Sequence, residues 1–573
     1  MATHRTRLAG ISRWSVALAL LNLLVACGGG SGPSDFGPPP PSGPPPASVT
    51  ITGKITFDRI PFAATPGAGL EPSAPVQSPA RGIVVEAING STVVASTTTN
   101  ATGDYTLAVP SNTQIFIRAK AQMLKAGAPP TWDFRVRDNT NAGALYVLDG
   151  AVFGSGTADL TRNLRASSGW NGTRYAQTRA AAPFAVLDTV YQATSLILSA
   201  APTAVFAPLN LYWSTENRPN TVDGNGMPIF CIEEGDIQTT MYASGEREDD
   251  CGGRILPGIY VLGNVEGGDT DEFDQHVIAH EFGHYFEDQF ARSDSIGGAH
   301  ENGNRLDLRV AFGEGWGNAF SGMVLNDPRY RDSYDLDARD FGFDMEADDP
   351  SFGDGGWFSE TSVAEIIWDA FDSTNESGDT VTLGFGPIFA AMTNGQRTTP
   401  ALTSIFSFLE ALRVAAPTQA ADINELRNGE NMSGTDAFGA GEANAGGNPA
   451  NLPVYRAIAL NGGLTTVCVS AANGVEKLGF SRFFRLVLAT PSIVTINVAP
   501  SVDPAVPNGL PAQDPDVYLY LAGAVLGAGD ITGPSSETIS QVELAAGTYV
   551  IEVLDVAATG NTPRCMSVSV TGT

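Results

Sequence analysis

Between residues 48 and 165 the chain alternates between apolar and polar residues in short runs bounded by Gly, Pro and Asn. Alternation with a period of two is typical of strands that are buried on one face. The pattern predicts strands at residues 49–57, 82–88, 91–97, 105–109 and 115–119. Several short strands separated by turn residues favour a β-sandwich for this region.

The period of the apolar positions changes after residue 166. Residues 182–198 place apolar side chains near helical spacing, and Pro183 falls where a first helical turn tolerates it. Alternating runs at 209–213 and 258–263 then predict two more strands. A sheet with an exposed edge strand can bind an extended peptide through main-chain hydrogen bonds, although the sequence does not identify that edge.

Short alternating runs return in the tail, for example at residues 514–520 and 544–553, and predict a second β-sandwich. The length of 573 residues and a hydrophobic fraction of 43% are sufficient for several cores. The predicted fold class is therefore multidomain, with an α+β central domain flanked by two β-sandwiches. The predicted segments are a leader (1–27), a Gly/Pro-rich tether (28–47), a β-sandwich (48–165), the central domain (166–463) and a β-sandwich (464–573).

The chain is strongly acidic, with a formal net charge of -30 and a pI near 4.4. No cluster of Lys and Arg stands out after the leader. A nucleic-acid partner needs a basic surface, so we expect none.

The N-terminus resembles a bacterial export signal, because arginines precede an apolar stretch at 16–25 that is too short to span a bilayer comfortably. The tetrapeptide L-V-A-C that ends at Cys27 looks like a lipoprotein cleavage box. We therefore expect a lipid anchor at Cys27, with an ordinary signal peptide and an incidental cysteine as the alternative. Gly28, rather than Asp, favours the outer membrane by resemblance to lipoprotein sorting rules.

Four further cysteines, Cys231, Cys251, Cys468 and Cys565, form an even set in an exported chain. This favours disulfides, most simply Cys231 with Cys251 and Cys468 with Cys565, because each pair falls within one predicted domain. Zinc thiolates are the alternative, although the chain contains no C-x-x-C pair.

Residues 280–284 read H-E-F-G-H, in a chain with only five histidines. On a helix, residues four apart share one face, so His280 and His284 can direct two nitrogens at one metal while Glu281 lies beside them. The pattern predicts a zinc site with Glu281 as the general base. His276, one turn earlier, is expected to support the site rather than bind the metal. The alternative is an amphipathic helix with polar-face histidines.

A catalytic zinc site requires a third protein ligand and one open position. The chain lacks the metzincin extension of the motif, which would supply a third histidine. That extension needs Gly at 287 and His at 290, where this chain has Glu287 and Phe290. A glutamate from a second helix remains open. His300 and Glu301, in the intervening loop, are competing candidates.

Glu314 lies in a G-E-G-W element at residues 313–316, at the start of a predicted helical run. H-E-x-x-H followed by G-E-G-W resembles the gluzincins, thermolysin-like zinc metallopeptidases, and most closely the fungalysin group. The resemblance extends over about 182–460 and includes the predicted helix at 363–368. It implies a zincin-type α+β domain with Glu281 as the general base and one catalytic Zn²⁺ held by His280, His284 and Glu314.

The chain departs from the fungalysin pattern at two places. Asn318 stands where an Asp usually orients a zinc-bound imidazole, and its amide oxygen can accept the same hydrogen bond. No histidine follows His300, so the late His that helps to stabilise the tetrahedral intermediate is missing. Tyr330 and Tyr334 are candidate donors for that role, although core or surface tyrosines are the favoured interpretation.

The flanking regions carry resemblances of their own. The first sandwich resembles the carboxypeptidase regulatory-like domain, and the tail resembles the bacterial pre-peptidase C-terminal domain. Asp514 and Asp516 are calcium candidates there, with turn-forming carboxylates as the favoured interpretation. The acidic stretch 332–354 is a second calcium candidate, although it lacks EF-hand order and favours a solvated loop. Its aspartates include Asp335, Asp337, Asp340, Asp344, Asp348 and Asp349.

These observations favour a zinc-dependent metalloendopeptidase that hydrolyses polypeptides outside the cytoplasm through a zinc-bound water activated by Glu281. Two alternatives remain open. One is a non-catalytic surface-binding lipoprotein with a decayed peptidase domain, although a structural zinc site has no need of Glu281. The other is a zinc hydrolase that acts on a bond other than a peptide.

Overall fold

The computed structural model of the protein describes residues 47–573, apart from 220, 225, 336–337, 348–354, 375–379, 472–476, 502–512, 532, 534–535 and 559. The chain divides into two units, 1–46 and 47–573, and the architecture below is that of the second. The predicted leader, the lipidation residue Cys27 and all of the tether except Ala47 lie outside the described residues. The same is true of Asp337, Asp348 and Asp349 in the acidic stretch.

The first region is built from β-strands, and the five strands predicted there are confirmed as β1, β3, β4, β5 and β6. Alternate residues of β1 are buried, as its apolar pattern predicts. The strands are β1 (Ser48–Arg59), β2 (Val76–Pro79), β3 (Ile83–Asn89), β4 (Thr92–Thr98), β5 (Asp104–Pro110), β6 (Gln114–Lys125), β7 (Trp132–Asp138), β8 (Ala144–Leu145), β9 (Val147–Asp149), β10 (Phe153–Gly154), β11 (Leu160–Thr161) and β12 (Leu164–Ala166). β1 pairs with β2, β5, β11 and β12 in one sheet, and β3, β4, β6 and β7 belong to a second, larger one.

The larger sheet continues from the first region into the central one. Further strands along the chain are β13 (Leu209–Trp213), β14 (Arg218–Pro219), β15 (Asp236–Gln238), β16 (Met241–Ala243), β17 (Arg247–Glu248), β18 (Arg254–Ile255) and β19 (Gly258–Val261). The strand order is β16-β19-β13-β7-β6-β3-β4. β7 pairs in parallel with β13, with Phe134 opposite Leu209, so main-chain hydrogen bonds cross the boundary predicted between residues 165 and 166.

β16 pairs antiparallel with β19 and ends this order of strands. The predicted strands at 209–213 and 258–263 are β13 and β19, although β19 ends at Val261.

Helices cover the central region, and the described residues contain seven α-helices. These are α1 (Ala182–Ala200), α2 (Gln275–Phe290), α3 (Leu308–Leu325), α4 (Glu360–Phe371), α5 (Phe385–Ala390), α6 (Ile405–Ala415) and α7 (Ala420–Gly429). A hairpin of β20 (Arg329–Tyr334) and β21 (Arg339–Asp344) follows α3. The sheet supports α2 directly, because Phe134 of β7 packs edge-on against Phe282, with ring centroids 5.9 Å apart.

The tail forms two sheets with a core of their own. Its strands are β22 (Tyr455–Ile458), β23 (Thr465–Ala471), β24 (Ser481–Leu488), β25 (Ser492–Pro500), β26 (Pro515–Leu521), β27 (Ala524–Gly529), β28 (Glu537–Leu544), β29 (Gly547–Asp555) and β30 (Gly560–Gly572). One sheet has the order β22-β24-β29-β26-β27 and the other β23-β30-β25-β28. The architecture is multidomain and consistent with β-sandwiches at both ends of the chain.

A buried ion-pair cluster joins the tail to the start of α3. Arg309 is 2% exposed and donates to both carboxylate oxygens of Glu552, at 2.9 and 2.7 Å. Its other partner is Asp307, the N-cap of α3. Burial opposes ionisation of Glu552, but Arg309 outweighs it and lowers the pKa of the carboxyl. Removing one member of such a cluster is costly, because it leaves a buried charge without its partner.

Both predicted disulfides are confirmed. Cys231 is bonded to Cys251, and Cys468 to Cys565, so the alternative of zinc thiolates is wrong. Disulfides persist in oxidising compartments, which indicates an extracytoplasmic location. Within the described part of the chain, no helix is long and apolar enough to cross a membrane.

Candidate metal centre

Helices α2 and α3 bring together the three residues predicted to bind zinc. His280 and His284 lie one turn apart on α2, and Glu314 lies in the middle of α3. The structure corrects the predicted start of this second helix: α3 begins at Leu308, so the G-E-G-W element is inside it. The reason is the N-cap, where the Asp307 carboxylate accepts a hydrogen bond from the Arg309 N–H at 2.9 Å.

The ligand atoms of His280, His284 and Glu314 converge on one point, and we call these residues the histidine cluster. The two Nε2 atoms are 3.1 Å apart. Glu314 Oε2 lies 3.2 Å from His280 Nε2 and 3.5 Å from His284 Nε2. Zinc bonds of about 2.0–2.1 Å give a tetrahedron with edges of about 3.3–3.4 Å, so these separations fit three ligands of one zinc ion.

The hydrogen bonds of the two imidazoles favour a metal between them. His280 Nδ1 donates to Asn318 Oδ1 at 2.9 Å, and His284 Nδ1 donates to Glu287 Oε2 at 3.2 Å. With each proton on Nδ1, both Nε2 lone pairs point at the common centre, where a cation satisfies them. The chemistry of the donor set, two imidazoles and one carboxylate, therefore fits Zn²⁺.

The charges of the cluster are strongly coupled. Burial disfavours the charged imidazolium of His284, but Glu314 and Glu287 together raise its pKa well above the ordinary value. Burial likewise disfavours the Glu314 carboxylate, yet the histidines hold its pKa well below the usual range. Glu314 is thus the anion around which the site is assembled.

Glu281 lies between the two histidines on α2 and is buried. Burial is the main cause that raises the pKa of its carboxyl, opposed by His280 and His284. A backbone hydrogen bond from Tyr242 also opposes the rise, and it connects Glu281 to strand β16. The candidate general base is therefore held against the end strand of the large sheet.

Two glycines of α3 allow it to pack closely against α2 and α4. A Cβ on Gly317 would lie 2.7 Å from the ring of His280, and one on Gly315 would lie 2.5 Å from Val363 of α4. Any side chain at either position would push α2 or α4 away from α3. Gly317 thus lets α3, which carries Glu314, lie close to the ligand His280, and Gly315 lets α4 pack against α3.

Glu287 and Glu360 belong to the site, although the sequence analysis missed both roles. Glu287 is three residues after His284 on the same helix face, so helical spacing was a usable signal. Its burial raises the pKa of the carboxyl to about 7. Glu360 begins α4 and lies 3.5 Å from His300 Nε2, and burial raises its pKa to about 7 as well. No local sequence pattern predicts that Glu360 belongs to the site, because only the packing of α4 places it beside His300.

The two competing candidates for the third ligand, His300 and Glu301, lie in different surroundings. His300 Nε2 lies 3.3 Å from Glu314 Oε2. Burial opposes its protonation, but Glu314 raises the pKa of His300 to about 9. Glu301 is exposed, and its backbone N–H bonds to Asn304. His300 therefore lies beside the histidine cluster, whereas Glu301 does not.

His276 is buried beside α3 instead of facing the cluster. Its Nδ1 lies 2.9 Å from Ser321 Oγ, and burial lowers its pKa to about 3. The ring of Tyr330 lies near the rings of both His276 and His280, with centroids 5.6 and 6.2 Å away. Tyr334 is 38% exposed and stacks with Arg339, so of the two tyrosines only Tyr330 is near the site.

The acidic residues fall into two kinds. Three carboxylates, Asp269, Asp271 and Asp332, form a second group of possible metal ligands, which we call the aspartate cluster. The other described aspartates of the predicted acidic loop are in ion pairs: Asp335 with Arg339, Asp340 with Arg331 and Asp344 with Arg329. Neither group of possible ligands among the described residues contains Asp514 or Asp516.

No protein-family model matches the chain, and no curated protein matches it. Solved structures similar to parts of it include the pre-peptidase C-terminal domain of a collagenase from Bacillus anthracis. That match has 12% identity, a TM-score of 0.15 and covers 20% of this chain and 93% of the other. CorA, a surface-associated copper-binding protein of Methylomicrobium album BG8, matches with 11% identity, a TM-score of 0.16 and coverage of 21% and 98%. PliG, a periplasmic inhibitor of g-type lysozyme from Aeromonas hydrophila, matches with 14% identity, a TM-score of 0.13 and coverage of 20% and 97%.

Proposed function

We propose that the protein is a zinc-dependent metalloendopeptidase of gluzincin type that hydrolyses polypeptides outside the cytoplasm. The observation that carries the proposal is the convergence of His280 Nε2, His284 Nε2 and Glu314 Oε2 on one point, with Glu281 next to it on the same helix. A structural zinc site has no use for Glu281, a second carboxylate that is not one of the three ligands.

The chain's own residues supply the proton transfers. When bound, zinc polarises the scissile carbonyl and lowers the pKa of a coordinated water towards about 7. Glu281 takes the proton from the attacking water and delivers it to the leaving amine. Its raised pKa suits this exchange, because a carboxyl that titrates closer to neutrality both accepts and releases a proton readily.

Strand β16 supports a polypeptide as the substrate. It pairs with β19 on one side and ends the described order of strands in the large sheet. Tyr242, in the middle of β16, hydrogen-bonds Glu281 through its backbone. An extended peptide that adds to the other side of β16 would therefore pass the candidate base and the histidine cluster.

The disulfides and the sequence of the leader support a location outside the cytoplasm. Two disulfides suit an oxidising compartment. We propose that a lipid on Cys27 anchors the protein to the bacterial outer membrane. Replacing Cys27 with Ala should release the protein from membranes during fractionation, whereas an unchanged membrane fraction would argue against the anchor.

The test of the activity compares casein degradation and zinc content of the purified protein with those of Glu281→Gln. We expect about one zinc per chain in both proteins and a loss of about 10²–10⁴-fold in the rate for the variant. Glu301→Gln is the matched control, because it makes the same change in an exposed loop, and it should retain full activity.

Two outcomes would contradict the proposal. Full zinc without proteolysis by the wild type would favour the alternative of a non-catalytic surface-binding lipoprotein. Unchanged proteolysis by Glu281→Gln would remove Glu281 from its proposed role.

A further inference from the structure

The aspartate cluster draws on two segments that flank the candidate metal centre. Asp269 and Asp271 lie in the loop between β19 and α2, and Asp332 lies in β20. One carboxylate oxygen of each residue lies within 4.8 Å of the others. These segments are far apart in sequence, so the contact is made by the fold.

Asp271 and Asp332 each have one carboxylate oxygen that is buried without a hydrogen-bond partner. Asp271 is only 3% exposed, and its Oδ1 atom is buried without a hydrogen-bond partner. Its Oδ2 atom accepts from the Thr240 hydroxyl. Asp332 likewise has a buried Oδ1 atom without a partner. A buried polar atom that lacks a partner is costly, which points to a ligand.

The charges around Asp271 have the same sign. Burial raises the pKa of this carboxyl well above its ordinary value, and Asp269, Asp332 and Asp274 raise it further. Burial and Asp269 raise the pKa of Asp332 to about 8. A cation among these carboxylates would offset their repulsion and coordinate the oxygens that lack a hydrogen-bond partner.

We infer that Asp269, Asp271 and Asp332 bind a divalent cation of the Ca²⁺ class. The donor set consists of carboxylate oxygens, which suits a hard cation and not zinc. Ca²⁺ tolerates irregular geometry and takes further oxygens from backbone carbonyls or water, whereas Mg²⁺ demands near-octahedral ligands. The site is therefore distinct from the histidine cluster in both position and chemistry.

The bound cation would connect the parts that position the candidate active site. Asp269 and Asp271 belong to the loop that leads into α2, and Thr240, the partner of Asp271, immediately precedes β16. Asp332 is in the same strand as Tyr330, whose ring packs against His280. We expect the cation to stabilise this arrangement without taking part in proton transfer.

The test measures Ca²⁺ binding to the full-length protein by calorimetry and its thermal unfolding, after all metal has been removed and one equivalent of zinc restored. We expect Ca²⁺ to raise the unfolding temperature of the wild type. Asp271→Asn should abolish one equivalent of bound Ca²⁺ or weaken its binding at least about 10-fold. Asp332→Asn, at a less buried position, should do the same and serves if Asp271→Asn does not fold. Asp335→Asn is the matched control, because Asp335 is exposed and paired with Arg339.

A second measurement separates a cation site from a merely structural role. Without Ca²⁺, Asp271→Asn and Asp332→Asn should unfold at the wild-type temperature or above it, because each removes a repelled charge. With Ca²⁺, the wild type should unfold at a higher temperature than either variant. The inference is wrong if the wild type binds no Ca²⁺, or if both variants bind as many equivalents as the wild type with unchanged affinity. These readouts do not depend on peptidase activity, so the proposed function and this site can fail separately.

Discussion

The histidine cluster and the aspartate cluster differ in how their ligand atoms are held in place. In the histidine cluster, Asn318 and Glu287 fix the two imidazoles through Nδ1, so their Nε2 atoms are oriented before any metal arrives. In the aspartate cluster, Thr240 supports one oxygen of Asp271, while the other has no hydrogen-bond partner.

The two clusters therefore place different requirements on the metal that each would bind. An oriented set of nitrogen and oxygen ligands suits zinc, which prefers a tetrahedral geometry. Carboxylates that repel each other gain most from charge neutralisation, and a flexible coordination sphere is enough. We therefore expect the first site to depend on ligand identity and hydrogen bonds, and the second to depend on charge.

Of the changes proposed for the two clusters, Glu314→Ala should have the largest effect, because it removes a predicted metal ligand. Removing the anion from the histidine cluster leaves two imidazoles, so we expect the zinc content to fall from about one per chain to near zero and proteolysis to fall to background. Ca²⁺ binding should be unchanged. Metal analysis after dialysis, with a casein assay, measures both.

Glu360→Gln is the control for Glu314→Ala, because it alters a nearby carboxylate that is not among the predicted ligands. It should keep its zinc. If Glu314→Ala retained zinc, His300 would replace Glu314 as the third ligand, since its Nε2 atom lies 3.3 Å from the same oxygen.

The residues of the histidine cluster were largely predictable, because most of the signal is local. Spacing of four on a helix places His280 and His284 on one face, and the same rule reaches Glu287 one turn further. Glu314 came from a resemblance in a short motif. Glu360 was not predictable, because it reaches the site only through the contact between Gly315 and α4.

The aspartate cluster was missed for the same physical reason. The acidic stretch is a calcium candidate in the sequence, but of its described aspartates only Asp332 joins a group of possible ligands, and its partners Asp269 and Asp271 come from a loop without periodicity. The parallel pairing of β7 with β13 is a similar case. An alternating pattern shows that each segment is a strand, but it does not specify which strand lies beside it.

Asn318→Ala and Glu287→Gln should have intermediate effects on zinc binding by the histidine cluster. Each change weakens or removes a hydrogen bond that orients a ligand while leaving the three ligand atoms in place. We expect zinc affinity to fall by about 10–100-fold, as is usual for such outer partners. Competition with a chromophoric chelator measures it.

Thr240→Val provides the matched case at the aspartate cluster, because Thr240 bonds a proposed ligand directly, as Asn318 does in the histidine cluster. The Thr240 hydroxyl donates to Asp271 Oδ2. If the second site depends on charge and not on orienting hydrogen bonds, Ca²⁺ affinity should change less than about 3-fold. If Ca²⁺ affinity fell as much as zinc affinity falls in Asn318→Ala, the two clusters would not differ in their dependence on orienting hydrogen bonds.

Asp332 should also give the aspartate cluster a pH dependence of stability. In the folded protein without metal, the pKa of Asp332 is raised to about 8, from an unfolded value of 3.8. Between these values the folded state holds a proton that the unfolded state has lost, so stability falls as pH rises. Thermal unfolding of metal-free wild type and Asp332→Asn should therefore diverge from pH 5 to 8, with the variant gaining at most about 1.4 kcal/mol per pH unit. Comparing the two at each pH cancels the titration of the histidine cluster. Saturating Ca²⁺ should reverse the sign at pH 8, and parallel curves under both conditions would show that Asp332 is not a member of a charged site.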